Sequence, residues 1–468
     1  MNLTTSEIKT ALGLTLRDSL GSIDKDLWSM WSTDSRQKTQ SGLFIAIQGD
    51  NFDAHDFLNQ AYENGARGFI VDEKIYNSKK NSYNFKSTFF LVTDTIAALQ
   101  KISVASAKKL NCLKVAITGT SGKTSAKYFC HQILDGFVPH YFSPKSFNNH
   151  IGVPFTLLDL NSDHKLALIE IGMNHPGEIE KLSNLVEPDV VAVTMVGRGH
   201  LEGVGTIEDV LIEKMSLYKK GRTHIINIDD PRIFTDYKKQ YAKNLKDPNI
   251  KIIKVSANDK SADIFFNVIN VQFNDFEIEG YIFGQSGKAK INIAGEHHAL
   301  NIAIASAVAI TAGMSADQIW KQLTKISPVW GRSEILKSKN DVSIYFDAYN
   351  ANPESMQAFL SQTTHLSEAP YFVIGEMLEM GEHAEAVHFE LGQLVAKTPH
   401  KKVWFIGPSS AAFLKGYKTL KNTENLTISN TYEETLALKY QSMLQPSDWV
   451  ALKASRGIGL EKFLKNLV

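Results

Sequence analysis

The sequence predicts an α/β protein of three units, the middle one a parallel sheet ending in a phosphate-binding loop. Three observations predict it. A short apolar strand, Val115-Ala116-Ile117-Thr118, runs into Gly119-Thr120-Ser121-Gly122-Lys123-Thr124-Ser125 and then into a stretch, 126–134, that can be helical. Strand-like runs alternate with helical spacing both before and after that loop, which argues sheets rather than a helical bundle. The length of 468 residues exceeds one ordinary core, and roughly three domains is the prior.

Residues 1–95 form the first unit. The run 41–47 reads as a short apolar strand, 56–64 has helical spacing, and 65–71 turns into another strand. Residues 79–86, rich in Lys, Asn and Ser, read as a loop tip before the strand 88–92. Ahead of the first strand sits Asp34-Ser35-Arg36. It is either an ordinary turn, which Asp and Ser favour by themselves, or a binding corner. In a corner, Arg36 would meet a phosphate and the Ser35 hydroxyl would add a hydrogen bond.

The second unit, 96–328, carries the phosphate loop. Glycines let backbone N–H groups face an anion, and the helix start adds the positive end of its dipole. Lys123 can reach the β/γ-phosphates, and the Thr124 hydroxyl suits a Mg²⁺ ligand. The loop is shorter than the common G-x-x-x-x-G-K-[ST] form, because Ile117 stands five positions before Gly122. The runs 166–171, 190–194 and 224–228 read as further strands of a largely parallel sheet, with helices at 178–186 and 207–218. Residues 262–293 alternate Phe, Val and Ile around two turns, an antiparallel excursion before a helix at 299–312.

The third unit, 329–468, repeats the alternation, with strands at 342–346, 371–374, 402–406 and 449–452. Gly375 and Gly407 each follow a strand, but neither belongs to a G-x-G-x-x-G, so no dinucleotide site is read here.

Composition narrows the partners. Fifty basic and fifty acidic residues cancel, so no polycationic face for nucleic acid is implied. Cys112 and Cys130 are too few for a disulfide framework and lack metal-ligand spacing. No apolar run approaches a membrane span and the first residues lack a signal pattern. A cytoplasmic protein acting as a monomer is the expectation.

Ligands of open parallel sheets gather at the carboxyl ends of the strands. Glu170 lies in such a run, where a buried carboxylate asks for a compensating cation, a metal or a neighbouring Lys. His200 follows the strand 190–194 through a glycine-flanked turn; a lone His is more often structural. Arg332 and Asp347 bracket the first strand of the third unit, where a salt bridge between them is the plain alternative. Asn148, Asn149, Asn350 and Asn352 sit in amide-rich loops and are turn formers by default.

Together these stretches resemble the Mur ligases, ATP-dependent enzymes that add amino acids to the peptidoglycan precursor. The similar blocks are Gly119 to Thr124; Ser146-Phe-Asn-Asn-His-Ile-Gly-Val-Pro; Asn174-His-Pro-Gly-Glu-Ile; and Gly199-His-Leu-Glu-Gly-Val-Gly-Thr. Asp347-Ala-Tyr-Asn-Ala-Asn-Pro-Glu-Ser-Met, Ile374-Gly-Glu-Met-Leu-Glu-Met-Gly and Leu452-Lys-Ala-Ser-Arg-Gly resemble the branch that joins D-alanyl-D-alanine to UDP-N-acetylmuramoyl-tripeptide. The other branches in view are a Mur-type ligase adding the diamino acid and a folylpolyglutamate-synthase-like ligase; a binding module without ligase chemistry is the rival from another class.

The resemblance implies a UDP-sugar-binding domain at 1–95, a central ATP-binding domain at 96–328 and a Rossmann-like ligase domain at 329–468. It implies that Gly119, Thr120, Ser121, Gly122, Lys123, Thr124, Ser125, Asn301 and Arg332 bind ATP. Lys123, Glu170, His200, Lys214, Arg332 and Asp347 would be catalytic. Thr124 and Glu170 would serve one Mg²⁺ and His200 a second, with Lys214 carbamylated by CO₂; a plain helix-surface Lys is the alternative for Lys214. Asp34, Ser35, Arg36, Asn148, Asn149, Asn350, Asn352, Lys453, Ser455 and Arg456 would face the substrates. His298 stands where the family usually has Asn, and Met173, Met195, Glu376 and Ala454 replace commoner Ala, Asn, Asp and Gly.

Overall fold

A computed structural model describes residues 2–15, 19–20, 27–49, 52–144, 146–241, 243, 246–465 and 467–468. The chain gathers into two compact units. One holds Met1–Lys114, Pro139–Ile171 and Lys181–Pro188; the other holds Val115–Val138, Gly172–Glu180 and Asp189–Val468.

In the first unit the strands Ser19–Leu20, Thr88–Val92, Ala66–Asp72, Gly42–Ile45 and Trp31–Ser32 lie side by side in that order. The first pairing is antiparallel and the others are parallel. Successive side chains of a strand point to opposite faces, and here both faces are apolar. Leu43, Ile45, Ile70 and Phe90 pack on one side with Trp28, Leu99 and Ile102. Phe44, Phe69, Val71, Phe89 and Leu91 pack on the other with Leu58 and Ala61. The expected loop tip at 79–86 begins as regular structure: a helix, Glu73–Lys79, tightens into a 3₁₀ turn, Lys80–Ser82. Asp72 caps that helix by accepting from the Ile75 N–H, a local signal hidden by the polar composition that follows. The unit also holds a parallel pair, Leu166–Glu170 beside His140–Phe142. The second strand of that pair was not expected, because its three residues are too few to show a period.

The second unit contains two sheets. One runs Gln285–Ile291, Phe276–Ile282, Ile264–Ile269, Lys251–Ser256, Thr223–Asn227, Val190–Val193 and Leu113–Thr118. The expected antiparallel excursion is there, in the pairings of Phe276–Ile282 with both its neighbours; the remaining pairings are parallel. Lys251–Ser256, flanked by polar residues, was not expected as a strand, although its alternate residues Ile253 and Val255 are fully buried. Helix Lys123–Leu134 packs against helix His298–Thr311. The latter is rich in Ala and Ile, and its residues from Ile302 to Ala309 are fully buried.

The other sheet runs Glu334–Lys337, Ser343–Phe346, Trp449–Lys453, Tyr371–Gly375, Lys402–Ile406 and Leu426–Ser429. Only the first pairing is antiparallel. The two flanking strands, half-exposed and short, are the ones that the alternation did not announce. Tyr345, Phe372, Ile374, Val403 and Phe405 fill one face, and Ile344, Phe346, Val373, Trp404 and Ile406 the other. On the first face, helices Ala384–Lys397 and Ser410–Lys418 touch backbone to backbone. A methyl group on Gly392 would run into the Phe413 carbonyl, and one on Gly416 into the Phe389 carbonyl.

Candidate active site

The phosphate loop is built from its strand outward. Val115, Ala116 and Ile117 are fully buried, which fixes the strand end from which the loop leaves. Gly122 caps helix Lys123–Leu134 with a φ of 86°, and a side chain there would strike the amide oxygen of Asn301. Only glycine meets both demands. Lys123 folds back along the loop and donates from Nζ to the Gly119 carbonyl at 2.7 Å. The Thr120 N–H donates to the Met195 carbonyl at 2.9 Å, and the Gly197 N–H donates to the Thr120 hydroxyl at 3.0 Å. Thr194 donates from its hydroxyl to the Ser121 carbonyl at 2.5 Å. Thr124 and Ser125 are buried at the helix start.

Residues far along the chain close on this loop. Arg332 donates from Nη2 to the Thr124 hydroxyl at 3.0 Å, with its guanidinium over the Tyr349 ring. Asn352 donates from Nδ2 to the Ser121 hydroxyl at 2.8 Å, while its Oδ1 accepts from Ser355 N–H and caps helix Pro353–Thr363. The alternative of an Arg332–Asp347 salt bridge does not hold. Asp347 instead takes Lys453, 2.6 Å from Nζ to Oδ2, and accepts from the Ser333 N–H. Lys453 is 2% exposed; burial lowers the pKa of its ammonium, and Asp347 opposes that shift. Lys453 also donates to the Asn350 carbonyl.

His200 lies after strand Val190–Val193 in left-handed backbone, φ 61°. Its Nδ1 is 2.7 Å from Oε2 of Glu379. Burial lowers the His200 pKa, Glu379 raises it, and the charges of Lys123 and Lys214 lower it further. Lys214 is fully buried near the end of helix Ile207–Met215, so the helix-surface alternative for it is overturned. A sequence window could not see this, since neighbouring Ile212 is 61% exposed and Lys214 is the one turned inward.

Other residues are committed elsewhere. Ser455 donates to the Ala351 carbonyl and accepts from the Leu378 N–H, which ties three strand-end loops together. Arg456 lies over the Trp330 ring and 3.4 Å from Glu461. His298 is buried, its Nε2 3.3 Å from the Ser333 hydroxyl and its ring edge-on to Phe129.

In the first unit, Glu170 is 1% exposed and Oε1 accepts from Asn148 Nδ2 at 2.9 Å. Asn149 accepts from the Ile151 and Gly152 N–H groups and so starts helix Gly152–Leu158. Arg36 pairs with Asp34 through Nε and Nη2, each at 2.8 Å, and holds the Asp34 carboxyl down at about 2. The Ser35 hydroxyl donates to Gln60 at 2.7 Å. The turn and the charged corner are therefore one object.

Sequence reasoning missed Thr194, Asn227, Asp230 and Glu354 as supports of the loop. Asn227 donates to the Thr194 carbonyl, Asp230 accepts from the Val196 N–H, and Glu354 accepts from the Arg198 N–H. The strand-end rule could have found the first three. Glu354 and Glu379 had no such signal beyond membership of the blocks 347–356 and 374–381.

Known proteins match this arrangement along the chain. Residues 117–309 fit the Mur ligase middle domain, and 331–456 the Mur ligase, glutamate ligase domain. The UDP-N-acetylmuramoyl-tripeptide–D-alanyl-D-alanine ligase of Bacillus subtilis (strain 168) is 30% identical over 446 residues, 93% of this chain and 92% of that one. The ligase of the same description from Escherichia coli (strain K12) is 26% identical, covering 93% of each. A crystal structure of MurF from Acinetobacter baumannii superposes with a TM-score of 0.84 at 25% identity, over 99% of this chain and 98% of that one.

Proposed function

The chain belongs to the Mur ligase family, and we propose that it joins D-alanyl-D-alanine to UDP-N-acetylmuramoyl-tripeptide at the expense of ATP, in peptidoglycan precursor synthesis. The observation that carries this reading is the closure of Arg332 and Asn352 on Thr124 and Ser121. It brings the ligase part of the chain onto the phosphate loop, where an activated carboxylate would be handed to an amine.

A carboxylate does not react with an amine, so its activation is the first requirement. The terminal carboxylate oxygen of the tripeptide attacks the γ-phosphorus of ATP, ADP leaves, and an acyl phosphate forms. The amine of D-alanyl-D-alanine then attacks the acyl carbon, phosphate leaves and the amine proton is lost to give the amide. Lys123 exchanges the Gly119 carbonyl for phosphate oxygens and offsets the charge that develops on them. Arg332 binds from the other side, stacked on Tyr349, and orients the phosphates. The acyl phosphate must be kept from water that would hydrolyse it, and the Asn352–Ser121 contact is where the ligase part of the chain meets the loop to do so.

Among the described residues no three His, Cys, Asp or Glu side chains converge as a metal site. Mg²⁺ takes one or two protein groups and completes its shell with phosphate and water. Thr124 and Glu170 each offer an oxygen of the kind Mg²⁺ prefers and His200 offers an imidazole nitrogen; a bound Mg²⁺ would neutralise phosphoryl charge. Lys214 as a carbamate would add oxygens where an ammonium repels a cation. Lys214→Ala should then lose most activity and regain part of it from a short carboxylate such as acetate; a fully active variant overturns the carbamate.

Among the described residues no helix is long and apolar enough to cross a membrane, and a cytoplasmic monomer with domains 1–95, 96–328 and 329–468 is the reading we adopt. The deciding assay is phosphate release with UDP-N-acetylmuramoyl-tripeptide, with and without D-alanyl-D-alanine. Release that depends on the dipeptide supports the function. Release that depends instead on a diamino acid with the UDP-dipeptide precursor replaces it.

A further inference from the structure

Glu379 holds none of the roles assigned above, yet its carboxylate lies 2.7 Å from the Nδ1 of His200. It arrives after strand Tyr371–Gly375, whereas His200 follows strand Val190–Val193. Both residues occupy left-handed backbone, φ 65° and 61°, which non-glycine residues keep only where the surroundings hold them. The surroundings here are specific. The Glu202 N–H donates to the Glu379 carbonyl at 3.0 Å. Beside it, Arg198 donates to Glu354 and Glu390, at 3.2 and 2.7 Å. The stretch 198–202 is thus pinned by three acidic residues from the C-terminal part of the chain.

An imidazole has two unlike nitrogens. Glu379 stands beside Nδ1 and off its N–H direction, so at 2.7 Å the two are an ion-pair contact and not a formed hydrogen bond. A small turn of the ring brings the N–H onto the carboxylate, which then keeps the hydrogen on Nδ1 and leaves the lone pair on Nε2. We infer that Glu379 is a positioning residue, which fixes the tautomer and direction of His200 so that Nε2 is presented to a divalent cation. The inference rests on the proposed metal role of His200. It adds that the cation site at His200 is complete only while the Glu379 loop is engaged.

The test uses Mn²⁺ as the probe, titrated into the full-length protein with ADP and read by electron paramagnetic resonance. Wild type is compared with His200→Ala, Glu379→Ala and Glu379→Gln. Half of the Glu379 side chain is exposed, so folding is not expected to depend on it. His200→Ala should abolish one class of Mn²⁺ site. Glu379→Ala should weaken that same class about 10- to 100-fold and reduce the nitrogen coupling seen by electron spin-echo modulation. Glu379→Gln, whose amide oxygen can accept from Nδ1 as the carboxylate can, should recover most of both. If His200→Ala removes the site while Glu379→Ala leaves its affinity and nitrogen coupling unchanged, the positioning role falls and the metal role of His200 stands. If His200→Ala leaves every Mn²⁺ site intact, the metal role fails first and takes the positioning role with it.

Discussion

The phosphate loop and the Asp34–Arg36 corner are both short polar turns next to a strand, and both present a cation suited to phosphate. They are held in opposite ways. The charged part of the corner is closed by its own neighbours: Arg36 grips Asp34 two positions away and is 80% exposed, while Ser35 between them is tied further off, to Gln60 and Asn64. The loop is held from a distance, by Thr194, Met195, Gly197, Arg332 and Asn352. A locally closed turn keeps its shape when one partner is lost. A turn closed from elsewhere reports on the whole unit, so damage at one of its supports should spread to catalysis.

That contrast can be broken or sharpened by mutation. Lys123→Ala should have the largest effect, lowering turnover in the phosphate-release assay by about 100- to 1,000-fold, the usual cost of removing a charge aimed at the transition state. Thermal melting should stay close to wild type, and turnover within a few-fold of wild type would remove the loop from the mechanism. Asp347→Ala comes next. It strands the buried Lys453 ammonium and should cost roughly 3 kcal/mol in urea unfolding, the low end for breaking a buried pair since Asp347 is partly exposed. Adding Lys453→Met should return much of that loss; no recovery would mean that the pair is not the source.

Arg332→Lys keeps the charge but not the planar group that stacks on Tyr349 and reaches Thr124. The KM for ATP should rise about 10-fold with a smaller change in kcat, close to what one or two charge-assisted hydrogen bonds supply. Arg36→Ala should be the mildest, raising the KM for the UDP-linked substrate a few-fold and leaving ATP unaffected. The corner also makes a statement about pH. Asp34 titrates near 2 when folded, below an ordinary carboxylate, so its pairing is fully present above about pH 4 and fades as pH falls through 2. Affinity for UDP between pH 8 and 5 should therefore be flat as far as this pair is concerned; a fall over that range would point to another group.

The same contrast separates what the sequence shows from what it hides. The strand before the loop, the glycine turn and the helix after it are adjacent along the chain, and their order states the chemistry. The antiparallel excursion at 262–293 was equally legible, because alternation of apolar residues is a local property. The burial of Lys214 and the pairing of Asp347 with Lys453 are not local. Each depends on which strand ends the topology brings together, and no window around either residue contains its partner. Short flanking strands such as Glu334–Lys337 and Leu426–Ser429 were missed for a related reason: they borrow their regularity from the neighbour they pair with. Family resemblance supplied roles for Lys214 and Lys453 before the structure, but not the contacts that make those roles possible.

The two helices that meet at Gly392 and Gly416 carry a consequence for how the protein can change over generations. Where side chains interlock, a substitution can be absorbed by a neighbour adopting another rotamer. Here carbonyl oxygens face bare α-carbons, and nothing between them can yield except the helices themselves. Neither position can drift even to alanine without prising the pair apart, and that pair covers one face of the C-terminal sheet. A surveyor of random variants should find these two glycines as unforgiving as Lys123, but with a different signature: lost protein rather than intact protein that has lost its activity.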